Sequence, residues 1–118
     1  GVLTGSDTLI YRLIFNLTEN AIRYNRPNGT VRITVTEEEN AVVIRVIDTG
    51  YGIPAQYRES IFQPFFRVEQ SRSRAYGGVG LGLALVWEIA ALHGGRVTAE
   101  QSDETGTTMA VRLPAGRE

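Results

Sequence analysis

The 118-residue sequence contains no cysteine, no lysine and only one histidine, and each scarcity excludes a class of site. Without cysteine there is neither a disulfide framework nor thiolate chemistry. With His93 as the only imidazole, a zinc site built from cysteine and histidine ligands is excluded as well. The lack of lysine excludes a complete P-loop, because that motif contacts phosphate through a lysine.

The sequence also has little net charge and no long apolar run. Twelve arginines oppose thirteen acidic residues, so the net charge is -1 and no positive field attracts a nucleic-acid backbone or an anionic membrane surface. The longest apolar stretch, residues 81–92, is shorter than the roughly 20 residues of a membrane-spanning helix. The first residues do not form a signal peptide. We therefore expect a cytoplasmic domain without a nucleic-acid partner or direct membrane contact.

The composition and the length of the chain fit one folded domain over residues 1–118. Hydrophobic residues make up 42% and charged residues 21% of the chain, as in ordinary globular proteins, and this length allows a single core. Helical spacing predicts a first helix over residues 6–25, with Ser6 or Asp7 as its cap. A second, buried helix is predicted from about residue 81 to 92, with an inner stripe of Leu81, Leu85, Ile89 and Leu92.

Alternating apolar residues predict two hairpins. The first joins a strand around residues 31–36 to Ala41–Asp48, and the second joins residues 96–101 to residues 107–113. A short helical turn is predicted near residues 56–61. This order predicts an α/β (α+β) two-layer sandwich, with helices on one face of a mixed, mostly antiparallel sheet.

Three polar residues of the first helix form one line along its surface. Asn16, Asn20 and Arg23 are spaced i, i+4 and i+7, which places them on one side of a helix beside the apolar stripe. Amide oxygens next to an arginine suit a magnesium-bound phosphate chain. The alternative is a polar helix edge that faces water, and these three residues alone do not decide between the two.

Asp48 ends the second strand in phase with its core-facing residues, and Gly50 and Gly52 follow at once. A carboxylate there can accept a hydrogen bond from the amine of adenine, while glycines allow the ring to approach the backbone. Because Asp-x-Gly is also common in turns, a simple strand-ending turn is the alternative.

The glycine-rich run at residues 77–82 leads into the second helix, whose free N–H groups favour phosphate. Arg67, Arg72 and Arg74 precede it and form either a phosphate-binding or a merely solvated loop. His93 lies at the end of the buried helix, where a capping or packing role is expected.

These segments occur in a fixed order that resembles the N, G1, F and G2 boxes of the catalytic, ATP-binding domain of bacterial sensor histidine kinases. The four matching segments are residues 16–24, 48–53, 62–67 and 78–83, and the resemblance covers about residues 5–113. It implies the Bergerat-type sandwich of the superfamily that includes gyrase B and the mismatch-repair ATPases. ATP would then lie between the first helix and a flexible lid at about residues 67–80.

The resemblance also implies a role for each site residue. Asn20 would bind Mg²⁺, whereas Asn16, Arg23 and Arg67 would contact the phosphates, with Asn16 and Arg67 in the catalytic set. Asp48 would accept a hydrogen bond from the adenine amine, and Tyr24 would flank the adenine ring. The remaining expected nucleotide contacts are Gly50, Gly52, Ile53, Gly78, Gly80, Leu81 and Gly82. Two positions depart from the family pattern: Val79 replaces a small hydroxyl residue, and Asn25 replaces a common Ser or Thr.

Kinases of this family phosphorylate a histidine on a separate helical dimerisation domain and pass the phosphoryl group to a response regulator. The resemblance therefore implies a homodimeric parent protein, an anchor for that parent in the inner membrane, and a monomeric isolated domain. An anti-sigma-factor-type serine kinase and a non-catalytic ATP-sensing module are the alternative functions.

Overall fold

The computed structural model describes residues 7–64 and 79–115, and for residues 79–82 it describes the backbone alone. Helix α1 spans Asp7–Arg23 and is followed by strands β1 (Val31–Glu38) and β2 (Ala41–Asp48). Two short 3₁₀ turns, Ala55–Tyr57 and Ser60–Phe62, occupy the region of the predicted helical turn. The chain then forms α2 (Val79–Leu92), β3 (Arg96–Asp103) and β4 (Gly106–Pro114).

The four strands form one sheet in the order β1-β2-β4-β3, and every neighbouring pair is antiparallel. This confirms the predicted sandwich with a mostly antiparallel sheet, and no parallel pair occurs among strands within residues 7–64 and 79–115. The register pairs Asp48 with Val31 on one side and with Thr107 on the other. The end of β2 therefore lies between the start of β1 and the start of β4.

Both helices cover the same face of the sheet. The buried face of α1 consists of Leu13, Leu17 and Ala21, spaced four residues apart as the helical period requires. These residues share one core with the alternating residues of the central strands: Val42, Ile44 and Val46 of β2, and Met109, Val111 and Leu113 of β4. Alternation along each strand thus directs one set of side chains to the helices.

The buried face of α2 differs from the predicted stripe. Leu83, Val86, Ile89 and Ala90 are buried, whereas Leu92 is 71% exposed and Leu85 is only half-buried. The side chain of Leu81 lies outside the described residues. Because α2 is apolar on nearly all sides, its sequence period does not select a face, and the contacts with α1 and the sheet do.

Both helices also begin or end at residues other than those predicted. Helix α1 ends two residues early because the side chain of Asn25 binds the backbone of Arg26 and Thr30, and because Pro27 disfavours helical geometry at the preceding residue. The Asp7 expected as a cap is instead the first helical residue, and Ser6 lies outside the described residues. Helix α2 begins two residues earlier than predicted and includes Gly80 and Gly82 in its first turn.

Candidate functional site

The site is organised around Asp48 at the end of β2. Its Oδ1 accepts hydrogen bonds from the backbone N–H of Gly50, at 2.8 Å, and of Thr107, at 3.2 Å. Its Oδ2 makes no hydrogen bond to the residues that the structure describes. Partial burial raises the pKa of this carboxyl above its ordinary value, while the two backbone hydrogen bonds act in the opposite direction. The carboxylate is therefore fixed in orientation through one oxygen.

Asp48 lines a narrow cleft that opens to solvent. The walls come from α1, β2 and the segment after it, the second 3₁₀ turn, α2 and β4. They consist of Leu17, Asn20, Ala21, Tyr24, Val46, Asp48, Tyr51, Gly52, Ile53, Ile61, Leu83, Thr107 and Met109. Most of these side chains are apolar, so the cleft suits a flat, largely apolar ring that carries a few polar groups.

The fold brings together five of the predicted site residues in this cleft: Asn20, Tyr24, Asp48, Gly52 and Ile53. A sixth, Gly50, contacts the site through its N–H bond to Asp48. Asn16 and Arg23 do not line the cleft, although they lie one turn before and one turn after Asn20 on the same side of α1. Asn16 is half-buried, and Arg23 is exposed.

Other predicted residues belong to the segment before α2 or to the first turn of α2. Arg67 and Gly78 lie outside the described residues, as do Phe65, Phe66 and most of the predicted lid. The backbone of Gly80, Leu81 and Gly82 lies in the first turn of α2, and so does Val79, at the position that departs from the family pattern.

Several lining residues were missed by the sequence analysis. Thr107 and Met109 belong to β4 and reach the cleft because of the β2–β4 register, which pairs Asp48 with Thr107 and Val46 with Met109. Leu83 reaches it from α2. No local motif marks Thr107 or Met109, whereas Leu83 is the last residue of the G2 segment. Tyr51 lies between the two glycines of the G1 segment, and this position is the feature of the sequence that could have indicated it as a lining residue.

Close contacts with neighbouring backbone atoms require glycine at two positions of the G1 segment. A Cβ on Gly50 would lie 2.6 Å from the carbonyl oxygen of Tyr24. Gly52 has a φ of +81°, and a Cβ there would overlap the carbonyl oxygen of Asp103. Both positions therefore allow the segment after β2 to pack closely against the turns beside it.

The second departure from the family pattern, Asn25, has a structural explanation. Its Nδ2 donates to the carbonyl oxygen of Thr30 at 2.9 Å, and its Oδ1 accepts from the hydroxyl of Thr49 at 3.1 Å. The same threonine hydroxyl accepts from the N–H of Thr30 at 2.8 Å. Asn25 thus joins the turn after α1 to the segment after β2.

His93 has the terminal role expected of it. Its ring Nδ1 lies 2.8 Å from the carbonyl oxygen of Ile89, within the last turn of α2. The same carbonyl oxygen also accepts from the backbone N–H of His93 at 3.2 Å, so the ring adds a second hydrogen bond at the end of the helix. His93 is not among the lining residues of the cleft.

The donor set of the cleft suits a nucleotide with one magnesium ion better than a protein-enclosed metal centre. No group of three or more His, Cys, Asp or Glu side chains gathers within residues 7–64 and 79–115. Asn20 supplies an amide oxygen, which is a hard ligand. Magnesium commonly takes one or two protein oxygens and completes its shell with phosphates and water. The amide oxygen of Asn20 therefore fits Mg²⁺ that is bound together with the phosphates of a nucleotide.

Comparison with known proteins agrees with this geometry. Residues 5–117 match the family described as histidine kinase-, DNA gyrase B-, and HSP90-like ATPase. Sensor histidine kinase RppB of Synechocystis sp. is 43% identical over 110 residues, which cover 93% of this chain and 24% of RppB. The chain thus spans about a quarter of the length of that relative.

Solved structures show the same fold. The catalytic domain of histidine kinase ThkA has a TM-score of 0.81 at 30% identity, with 98% of this chain and 73% of that chain covered. Full-length ShkA in complex with AMPPNP has a TM-score of 0.78 at 26% identity, with 93% of this chain and 22% of that chain covered. ThkA has also been solved with the response regulator TrrA, at a TM-score of 0.77 and 29% identity, covering 97% of this chain and 30% of that one.

Proposed function

Because this chain belongs to the family of histidine kinase-, DNA gyrase B- and HSP90-like ATPases, we propose that its cleft binds Mg²⁺-ATP, with the base beside Asp48. The observation that carries this proposal is the partly buried carboxylate of Asp48 in a largely apolar cleft. A buried charge is costly unless it has partners, and an incoming hydrogen-bond donor supplies one. The AMPPNP held by the relative ShkA is a nucleotide of the same class.

The geometry of Asp48 favours adenine over guanine. Its Oδ1 is held by two backbone N–H groups, and Oδ2 is left to accept a hydrogen bond from the base. Adenine presents an amine donor at its six-position, where guanine presents a carbonyl acceptor. Tyr24 and Ile53 line the same cleft and supply apolar surface for the ring.

The phosphates are assigned to the side of the cleft formed by α1 and the start of α2. Asn20 lines this side and would provide the protein ligand to Mg²⁺ through its amide oxygen. The first-turn N–H groups of α2, from Val79 onward, have no partner within the helix and favour an anion. Asn16 and Arg23, on the same side of α1, are proposed phosphate contacts, as are Arg67, Gly78 and the first-turn residues Gly80, Leu81 and Gly82.

For the whole protein we propose transfer of the γ-phosphoryl group to a histidine on a helical dimerisation domain of the parent. The P–O bond to the β-phosphate breaks, a P–N bond forms on the imidazole ring, and ADP leaves. Magnesium, when bound, neutralises the charge of the phosphates. This chain would orient the nucleotide through Asn20 and Asp48 and stabilise the transferred group through Asn16 and Arg67.

The parent would then act in two-component signalling, with a response regulator as the next phosphoryl acceptor. The ThkA complex with TrrA supports such a partnership for a relative. None of the helices in residues 7–64 and 79–115 has the length and apolar composition of a membrane span. We assign the domain to the cytoplasm, where ATP is available.

Calorimetry on the chain with ATP, in Mg²⁺ and in EDTA, tests the binding proposal. We expect Asn20→Ala to remove the part of the affinity that depends on Mg²⁺. The matched control is Asn40→Gly in the β1–β2 turn, where the φ of 65° suits glycine and the amide lies at the opposite end of the sheet from Asp48. Wild-type chain that binds no ATP in either buffer would overturn the proposal.

Phosphoryl transfer needs a separate test. ATP labelled at the γ-phosphate is incubated with this chain and the helical domain of its parent, and the acid-labile label expected of phosphohistidine is measured. Label on a serine would favour the serine-kinase alternative. Binding of ATP with no label on any domain would favour the non-catalytic sensing module.

A further inference from the structure

Arg26, just after α1, connects three segments around the cleft. Its Nε donates to the carbonyl oxygen of Gly50 at 3.3 Å, and its Nη2 donates to the carbonyl oxygen of Glu104 at 2.5 Å. Its guanidinium carbon lies 4.6 Å from the centre of the Tyr51 ring. One side chain thus joins the turn after α1, the segment after β2 and the β3–β4 turn.

Tyr51 is the member of this group that reaches the cleft. It lines the cleft together with Asp48, and its side chain is 49% exposed. A half-exposed aromatic ring on a loop loses conformational freedom when a ligand packs against it. A ring that is already held by a guanidinium on its face has less freedom to lose.

We infer that Arg26 is a positioning residue that holds the Tyr51 ring as a wall of the site for the purine base of the nucleotide. This inference rests on the proposed function of the cleft. A planar guanidinium can stack on the ring and donate to two carbonyl groups at once, which an ammonium group does not match. Arg26 therefore acts on binding through Tyr51 and the backbone, and it makes no direct contact with the phosphates.

Direct and indirect roles of Arg26 predict different responses to the ligand. If Arg26 contacted the phosphates, its removal would weaken the binding of ATP more than the binding of ADP or AMP. An arginine that positions a wall of the base pocket weakens all three nucleotides by the same factor. Calorimetry with AMP, ADP and ATP on the chain therefore separates the two roles.

We expect Arg26→Ala to weaken each nucleotide by roughly 3- to 20-fold, the range of cation–π and base-stacking effects. Arg26→Lys should recover only part of this loss because it retains the charge without the planar fork. Tyr51→Ala should cause a loss of similar size, and Tyr51→Phe should restore the affinity because the ring remains. The double variant should bind about as well as Tyr51→Ala alone, since both changes remove the same wall.

The matched control is Arg32→Ala, an exposed arginine on the face of β1 away from the helices. Urea denaturation of every variant separates a loss of folding from a loss of binding. Where Arg26→Ala fails to fold, Arg26→Gln provides the same comparison with a neutral donor.

Three outcomes would overturn the inference: a loss that grows from AMP to ATP, losses that simply add in the double variant, or unchanged affinity of Arg26→Ala. In each of these the wild-type chain still binds ATP, and Asp48→Asn still weakens it. Failure of the proposed function itself would appear as a wild-type chain that binds no adenine nucleotide.

Discussion

The backbone N–H of Thr107 donates to Oδ1 of Asp48 across the β2–β4 pair, at 3.2 Å, although the two residues are 59 positions apart. Together with the N–H of Gly50, it holds the carboxylate in one orientation. A carboxylate that is fixed before the ligand arrives does not lose side-chain entropy on binding. The pairing of β2 with β4 therefore fixes the carboxylate that we propose as the acceptor for the adenine amine.

Asp48→Asn is expected to lower the affinity for ATP by roughly 10- to 100-fold, the usual effect of losing a hydrogen bond to a charged acceptor. The preference for ATP over GTP should fall as well, because an amide can donate to the guanine carbonyl. Calorimetry with both nucleotides measures the two effects. Asp7→Asn, at the exposed start of α1, is the matched control. Unchanged ATP affinity in Asp48→Asn would remove Asp48 from the site.

Gly52→Ala is expected to destabilise the fold more than Gly94→Ala. Both glycines have positive φ, +81° and +77°, so alanine is strained at either position by roughly 1–2 kcal/mol. At Gly52 the new Cβ also overlaps the carbonyl oxygen of Asp103, whereas at Gly94 its nearest neighbour is Pro114 Cγ at 3.5 Å. Urea denaturation of the two variants isolates the contribution of the overlap. Equal losses of stability would contradict this account.

The face of the sheet away from the helices carries a charged network that should make stability depend on pH. Arg45 binds Glu38 and Glu100, each at 2.8 Å. Its hydrogen bond to Glu38 is the main cause that lowers the pKa of that carboxyl from 4.5 to about 2. A lowered folded-state pKa adds stability above the unfolded value, and this stability is lost as the pH falls towards the folded value.

We therefore expect the stability difference between wild type and Arg45→Met to be largest above about pH 4.5 and to shrink as the pH falls to about 2. Thermal unfolding across this range measures it. Added salt should reduce the difference at neutral pH, because exposed ion pairs are screened. Arg32→Met serves as the control. A difference that does not change with pH would indicate that Arg45 contributes through packing alone.

The isolated chain is expected to hydrolyse ATP very slowly, well below the roughly 1 s⁻¹ at the low end of typical enzyme turnover. One helical turn before the proposed Mg²⁺ ligand Asn20, where a base that activates water could stand, this chain has Asn16. An amide is not a base near neutral pH. Glu19 is exposed and does not line the cleft, so Glu19→Gln should not change the rate. Brisk hydrolysis that Glu19→Gln abolishes would identify a hydrolytic enzyme.

Most of the fold could be predicted from the sequence because α1 and β2 have strong periodicity. The buried residues Leu13, Leu17 and Ala21 follow the period of a helix, and β2 was predicted to its observed bounds, Ala41–Asp48. The burial of β1 was harder to predict. Ile33 and Val35 alternate as in a half-buried strand, yet they are 44% and 61% exposed. Their strand is at the edge of the described sheet, where less of the helix layer covers it.

The residues of the candidate site also fall into two groups: those that local sequence patterns predict and those that they do not. By itself the sequence determined the residues whose chemistry is marked by local spacing, such as Asn20 on its helix and Asp48 before two glycines. Tertiary structure alone decided that Thr107 and Met109 line the same cleft, that α2 buries Leu83 in place of Leu92, and that Arg26 reaches Tyr51 and Glu104. The physical reason is that local periods depend on backbone geometry within one element. Strand register, and the face that a wholly apolar helix buries, depend on packing between elements that are far apart in the chain.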